Sequence, residues 1–159
     1  ELMRELKGYN IHIAIQTSGT FNLLEFSSRL LPYIDLIYYD IKLYDPIMHY
    51  KFTGSDNSVI LENFARLKSA KGISIIPRVP LIPDITATSD NLTKIADFLR
   101  ANGCSECVLL SYNTGGIAKK MAIGEPAKNI PVCNISIGEE AQLRQAFKKR
   151  LHYSLPVKK

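Results

Sequence analysis

The sequence has few features of a membrane or secreted protein. No apolar run approaches the ~20 residues that a membrane-spanning helix needs, and the opening ELMRELKGYN has neither the apolar stretch nor the cleavage site of a signal peptide. The chain of 159 residues contains three unevenly spaced cysteines, too few for a disulfide framework, which fits a reducing compartment. We therefore expect a cytoplasmic protein with no membrane partner.

A large charge excess is also missing. Twenty Lys and Arg against fifteen Asp and Glu give a net charge of +5. The excess stands mainly in three short basic runs at 119–120, 148–150 and 158–159. No aromatic residues are interleaved with these runs, so a solvated helix face and tail is favoured over a nucleic-acid surface. We expect no nucleic-acid partner.

The remaining composition predicts one domain over residues 1–159, because 46% of the residues are hydrophobic and the length suits a single core. Leu2, Met3 and Leu6 already follow helical spacing before Gly8. They are typical of the end of a helix, so we expect the sequence to lack the upstream part of a longer protein.

Apolar segments that predict strands alternate with amphipathic segments that predict helices. Strands are predicted at 12–16, 36–41, 73–79 and 107–112, with loops at 42–57 and 113–138. Helices are predicted to begin at Asn22, Ser58, Ser89 and Glu139. This α/β alternation is typical of a parallel sheet, which could be an open doubly wound sheet or part of a barrel.

Two strands have unusual composition. The run LIYYDI at 36–41 is nearly all apolar, which is typical of a parallel strand covered on both faces. Prolines at 77, 80 and 83 cannot donate hydrogen bonds to a neighbouring strand. We therefore expect the strand at 73–79 either to end there or to lie against the loop at its C-terminal tip.

Polar residues cluster where the predicted strands end. In open parallel sheets and in barrels alike, ligands bind at the carboxyl ends of strands, so we expect these residues to share one mouth. They are Gln16, Thr17, Ser18, Asp40, Lys42, Arg78, Tyr112 and Asn113.

Asp40 and Lys42 flank Ile41 and point to the same side of their strand. A charged pair in an apolar strand has to be paired or bind something, because an isolated buried charge is costly. Spacing alone leaves a structural ion pair and a ligand site equally open. Arg78 on the next strand favours an anionic or polyhydroxyl ligand, since a guanidinium can hold a carboxylate and a carboxylate can hold a diol.

The cysteines and histidines suggest no metal or catalytic site. Cys104 and Cys107 form a CxxC without a second pair or a His pair, which indicates thiols without a function rather than ligands. His12, His49 and His152 are far apart in sequence, so none is assigned to catalysis.

Four segments together resemble the radical S-adenosylmethionine enzymes that activate glycyl radical enzymes such as pyruvate formate-lyase. They are IHIAIQTSGTF, the long block from YYDIK through YKFTG to ILEN, IIPRVPLIPDIT, and VLLSYN with GIAKKMAIGEP behind it. The resemblance extends over nearly all of the chain, and the YDIK and YKFTG-to-ILEN block is its most specific part.

The resemblance implies a partial TIM-like barrel of four parallel βα units, truncated at the N-terminus. The cluster loop CxxxCxxC and the GGEP motif of the family are absent, so the chain is expected to be the C-terminal part of such an enzyme and inactive alone. In the complete enzyme, three thiolates hold a [4Fe-4S] cluster that cleaves S-adenosylmethionine, and the resulting radical takes hydrogen from a glycine of the partner. We expect neither cofactor to be bound to this chain alone.

The same resemblance implies roles for individual residues. Asp40 and Lys42 match the family's motif that contacts the ribose and methionine ends of the cofactor, and Arg78 matches a basic residue near the same carboxylate. Asn113 stands where the family often has His at the adenine side. Gln16, before Thr17, stands where it often has an Asp that helps to hold a monovalent cation.

The resemblance implies two protein partners, a glycyl radical enzyme and a reductant such as flavodoxin or ferredoxin. The first strand is expected to have no neighbour on its outer side, which predicts a homodimer of the chain. The alternative function is a non-catalytic binding or scaffold domain, since an α/β fold alone does not give function.

Overall fold

In the computed structural model, which describes residues 1–70, 72–115, 131 and 133–153, four parallel strands form one sheet. Their bounds are β1 Ala14–Thr17, β2 Leu36–Asp40, β3 Ser74–Leu81 and β4 Val108–Ser111. Their order across the sheet is the order along the chain. The predicted parallel α/β fold is therefore confirmed.

Helices separate the strands. They are α1 Leu2–Gly8, α2 Leu23–Arg29, α3 Pro46–Thr53, α4 Ser58–Ser69, α5 Ser89–Ala101 and α6 Ile137–Leu151, with a short 3₁₀ turn at Leu31–Tyr33. The predicted cap at Asn22 is confirmed, because its side chain accepts a hydrogen bond from the Glu25 main-chain N–H.

The strand order distinguishes the two architectures left open by the sequence. Right-handed crossovers between strands in sequential order place every helix on the same face, as in a barrel, whereas a doubly wound sheet places helices on both. The core shows this arrangement, because α2, α4, α5 and α6 pack against every second residue of the strands on one face of the sheet. The strand residues in it are Ile37, Tyr39, Ile41, Ile75, Val79, Leu81 and Leu109.

The other face of the sheet is open in the described part of the chain. Tyr38 and Asp40 on β2 and Arg78 on β3 lie there and are half-buried. Within the described residues β2 is covered on one face only, so cover on both faces stays a prediction. Its apolar run arises from buried residues on one face and a tyrosine with a long apolar body on the other.

β3 contains two prolines and extends beyond the predicted end. The Arg78 carbonyl accepts from the Ile41 N–H, so Pro80 faces β2 and Pro77 faces β4. Pairing with β4 begins only at Arg78, and pairing with β2 ends at Arg78. Both prolines thus lie where no ladder donor is needed, so the expectation that they end the strand is wrong.

The segment 42–57, predicted as a loop, contains α3. Asp45 caps it by accepting from the Met48 N–H at 2.9 Å, and Pro46 occupies the first turn. Gly54 closes it in the left-handed conformation at φ 77°. These signals were present in the sequence but were hidden by the absence of an apolar stripe.

The other predictions either differ from the structure in where a helix or strand begins and ends or fall outside the described residues. β1 begins two residues later than predicted, β4 is shorter at both ends, and α5 is capped by Thr88 instead of Ser89. Most of the loop predicted at 113–138 and the basic runs at 119–120 and 158–159 lie outside the described residues. Lys148 and Lys149 are exposed on α6. No helix in the described ranges is long and apolar enough to span a membrane.

Gly19 allows the turn after β1 to approach the core closely. Its φ is +82°, and a Cβ there would lie 1.8 Å from the Tyr39 hydroxyl oxygen. That hydroxyl donates to the Ile60 carbonyl at 2.7 Å, so the ring cannot easily move. Burial also raises the pKa of Tyr39 well above its usual range, which keeps the hydroxyl protonated as a donor.

We predict that Gly19→Ala lowers the free energy of unfolding by about 2–5 kcal/mol, because a left-handed backbone strain and a steric clash add. Gly54→Ala is the matched control: its φ is +77° but nothing lies within 4 Å of the added Cβ. The control should cost about 1 kcal/mol. Urea denaturation checks both values, and equal costs would show that the approach of Tyr39 is unimportant.

Candidate functional site

The Asp40 carboxylate is the centre of a polar cluster at the carboxyl ends of β1, β2 and β3. Arg78 lies opposite it in the strand register and donates from Nε at 3.1 Å and Nη2 at 2.8 Å, both to Oδ1. The two side chains are 16% and 14% exposed, so their attraction is less screened than that of a surface pair. The expectation that the sheet brings Asp40 and Arg78 together agrees with this geometry.

The second carboxylate oxygen, Oδ2, faces two further groups. The Gln16 amide nitrogen donates to it at 3.3 Å from β1, and the Lys42 ammonium lies 3.8 Å away. The Lys42 distance is too long for a hydrogen bond, so the three N–H donors of this ammonium are not used by Asp40. With one carboxylate and two cations, the cluster carries a net positive charge.

Tyr38 orients the guanidinium. The Cζ atom of Arg78 lies 5.1 Å from the centroid of the Tyr38 ring, a cation–π distance. Both residues lie on the open face of the sheet, beside Asp40. The cluster is therefore held in place by its own strands and remains accessible from one side.

Two buried asparagines fix the backbone that follows β2. Asn91 of α5 donates to the Lys42 carbonyl at 3.0 Å and accepts from the Tyr44 N–H at 2.9 Å. Asn57 donates to the Leu43 and Tyr44 carbonyls, each at 2.8 Å. These bonds hold the position of Lys42 and the start of α3. The sequence analysis missed both asparagines.

A polar pocket of about 200 Å³ opens beside Asp40 and Lys42. Its other walls come from the turn after β1 and from α3 and the residues that follow it: Ser18, Thr20, His49, Thr53, Ser55 and Ile60. The sequence analysis assigned no role to His49, but α3 places it in this pocket. The spacing of His49 and Thr53, four residues apart, would have indicated a common face if the helix had been predicted.

Two predicted site residues, Thr17 and Asn113, are less closely connected with the Asp40 cluster. Thr17 accepts a hydrogen bond from the Gly19 N–H at 3.0 Å, which shapes the turn. Asn113 is exposed beyond the end of β4, and its Oδ1 accepts from the Gly115 N–H at 2.8 Å. β3 separates this strand from β2, and no hydrogen bond in the described part of the chain joins Asn113 to the Asp40 cluster.

The CxxC lies at the opposite end of the sheet. Cys104 and Cys107 precede β4, and burial raises the pKa of Cys107 to about 12 and that of Cys104 above its ordinary value. Both are therefore protonated thiols at neutral pH. Cys107 and His152 line a cavity of about 460 Å³ between β4 and α6, away from Asp40. Within residues 1–70, 72–115, 131 and 133–153, no three His, Cys, Asp or Glu are grouped to hold a metal ion.

Comparison with known proteins identifies relatives of one kind. The chain is 38% identical over 112 residues to the trans-4-hydroxy-L-proline dehydratase activating enzyme of Clostridioides difficile, covering 69% of this chain and 36% of that protein. It is 36% identical over 128 residues to the (2S)-3-sulfopropanediol dehydratase activating enzyme of Klebsiella oxytoca, covering 77% and 40%. The chain thus spans less than half the length of these curated relatives. No protein-family model matches it.

A solved structure has the same fold. It is a domain of pyruvate-formate lyase-activating enzyme from Bacteroides vulgatus, with a TM-score of 0.71 and 21% sequence identity. The match covers 94% of this chain and 83% of the other. At this identity the likeness supports the four-stranded parallel architecture.

For the Asp40 cluster we predict that Asp40→Asn lowers the free energy of unfolding by about 1–2 kcal/mol, because the Arg78 guanidinium loses its only close countercharge among the described residues. Asp90→Asn is the matched control, since Asp90 forms an exposed pair with Lys94 on α5. The control should change stability by less than about 0.5 kcal/mol. Equal effects in urea denaturation would show that Asp40 and Arg78 behave as a surface pair.

Proposed function

Because this chain belongs to the family of glycyl radical enzyme activating enzymes, we propose that the full-length enzyme holds its S-adenosylmethionine on the open face of this sheet. The observation that carries the proposal is the cluster of Asp40, Lys42 and Arg78 at adjoining strand ends. This is the edge at which parallel sheets of either architecture bind ligands.

The chemistry of the cluster fits this cofactor. S-adenosylmethionine carries a carboxylate, an ammonium and a ribose diol. Lys42 offers three N–H donors to a carboxylate or a hydroxyl, and the Asp40 carboxylate offers acceptor positions to an ammonium or a hydroxyl. Arg78 holds Asp40 in place and adds a second positive charge. We propose that Asn113 contacts the adenine side, and the cation role of Gln16 and Thr17 stays a prediction.

The bound cofactor supplies a carbon radical once an electron from a [4Fe-4S] cluster has cleaved its sulfonium. Asp40, Lys42 and Arg78 would orient the cofactor without taking part in that electron transfer. Cys104 and Cys107 lie at the other end of the sheet, so we propose that the cluster is held by residues outside this chain. The chain alone would then be inactive.

The names of these relatives give a dehydratase as the enzyme that each activates. The partner of this chain would be an enzyme with a glycine that becomes the radical site. We propose a glycyl radical enzyme as this partner, a flavodoxin or ferredoxin as the reductant, and the cytoplasm as the location. A non-catalytic scaffold role is the alternative, and no feature of the described residues favours it.

For the chain by itself we propose a homodimer through β1. Among the described strands β1 pairs only with β2, so its outer N–H and C=O groups are available to a second copy. Light scattering at micromolar concentration should give a dimer mass, and Ala14→Pro, which removes an outward N–H, should give a monomer. A monomer before substitution would contradict the proposal.

We predict that Lys42→Ala in the full-length enzyme lowers kcat/KM for S-adenosylmethionine cleavage about 10–100-fold, the value of a lost charge-assisted hydrogen bond. The assay measures 5′-deoxyadenosine formed under anaerobic reduction, and iron content shows that the cluster is intact. Lys148→Ala, on exposed α6, is the control and should leave the rate unchanged. An unchanged rate in Lys42→Ala and Asp40→Asn would make the pair structural, and no cleavage by the unaltered protein would favour the scaffold alternative.

A further inference from the structure

His49 is a buried imidazole with one nitrogen that has no hydrogen-bond partner among the described residues. The residue is 4% exposed on α3. Its Nδ1 lies 2.7 Å from the Ser55 carbonyl oxygen. A carbonyl oxygen only accepts, so Nδ1 carries a proton, and the neutral ring has its lone pair on Nε2.

Nε2 of His49 is not fully enclosed, and His49 lines the pocket beside Asp40. No described residue forms a hydrogen bond with Nε2, yet no fully enclosed side-chain nitrogen or oxygen of the described residues lacks a partner. Nε2 therefore reaches open space, and His49 lines the pocket that Asp40 and Lys42 also line. The Nδ1 bond fixes the plane of the ring, which keeps this lone pair directed.

The groups around the pocket define what can bind there. Oδ1 of Asp40 accepts twice from Arg78, and Oδ2 accepts once from Gln16, so one acceptor position remains on Oδ2. His49 Nε2 is a second available acceptor, and the Lys42 ammonium is an available cationic donor. A hydroxyl group suits this combination, because one oxygen can donate its proton to Nε2 and accept from the ammonium.

We propose that His49 Nε2 accepts a hydrogen bond from a ribose hydroxyl of the nucleoside held by Asp40 and Lys42. This inference rests on the proposed function and adds to it a ligand contact that the sequence analysis did not assign. The serine and threonine hydroxyls of the pocket surround the same position and keep it polar. His49 thereby selects for the sugar and not for the base or the methionine end.

Two substitutions separate this contact from the structural bond. His49→Asn places an amide N–H near the position of Nδ1, so it keeps the bond to Ser55 and removes the acceptor at Nε2. His49→Gln reaches the Nε2 position with an acceptor oxygen but loses the Nδ1 bond. His12→Asn is the control, because His12 is exposed before β1, at the amino end of the sheet.

The test measures binding of adenosine and S-adenosylhomocysteine to the full-length enzyme by NMR titration, with the imidazole signal that is lost in His49→Asn as the site-specific reporter. We expect His49→Asn to weaken adenosine binding about 3- to 10-fold with little change in melting temperature, the value of one neutral hydrogen bond. His49→Gln should bind more tightly than His49→Asn but melt at a lower temperature. His12→Asn should bind as the unaltered chain does.

Deoxynucleosides identify the hydroxyl. If His49 contacts the 2′-hydroxyl, 2′-deoxyadenosine should bind the unaltered chain and His49→Asn equally and leave the His49 signal unshifted. If His49 contacts the 3′-hydroxyl, 3′-deoxyadenosine should give this result. Equal adenosine affinity in His49→Asn and the unaltered chain would overturn this inference and leave the proposed function standing. Failure of the full-length enzyme to bind adenosine and S-adenosylhomocysteine at millimolar concentration would overturn both.

Discussion

The hand of the crossovers between parallel strands determines the rest of this structure. Because the strands stand in the order of the chain, each right-handed crossover places its helix on the same face. The buried apolar strand residues then alternate toward the helices, and Tyr38, Asp40 and Arg78 lie on the opposite face. The half-buried charges follow from this constraint, since they lie on the face that the helices do not cover.

On that open face, each contact of Asp40 restrains another element. Arg78 bonds one carboxylate oxygen from β3, and Gln16 bonds the other from β1, so three neighbouring strands are joined through one side chain. The asparagines at 57 and 91 hold the main chain after β2 and thereby locate Lys42 and α3. The polar pocket exists because helices on the covered face anchor a loop that folds over the strand ends.

Much of this could be predicted from the sequence because it depends on local alternation. Asp40 and Lys42 flank Ile41, so the two-residue period of a strand places both charges on one side. Arg78 lies near the end of the next apolar strand. His49 was missed because its segment has no apolar stripe, although Asp45, Pro46 and Gly54 mark both ends of the helix. The roles of Asn57 and Asn91 depend on main-chain carbonyls 13 to 49 residues away, which no local pattern reveals.

The central claim is that the strand-end cluster of Asp40, Lys42 and Arg78 binds the nucleoside cofactor of an activating enzyme. A crystal structure of the full-length enzyme with S-adenosylhomocysteine tests it most directly. The account predicts the ligand on the open face, with its ribose near Asp40 and Lys42 and its carboxylate on the positively charged side of the cluster. A ligand bound elsewhere, such as in the cavity between β4 and α6, with the Asp40 cluster unchanged, would contradict the account.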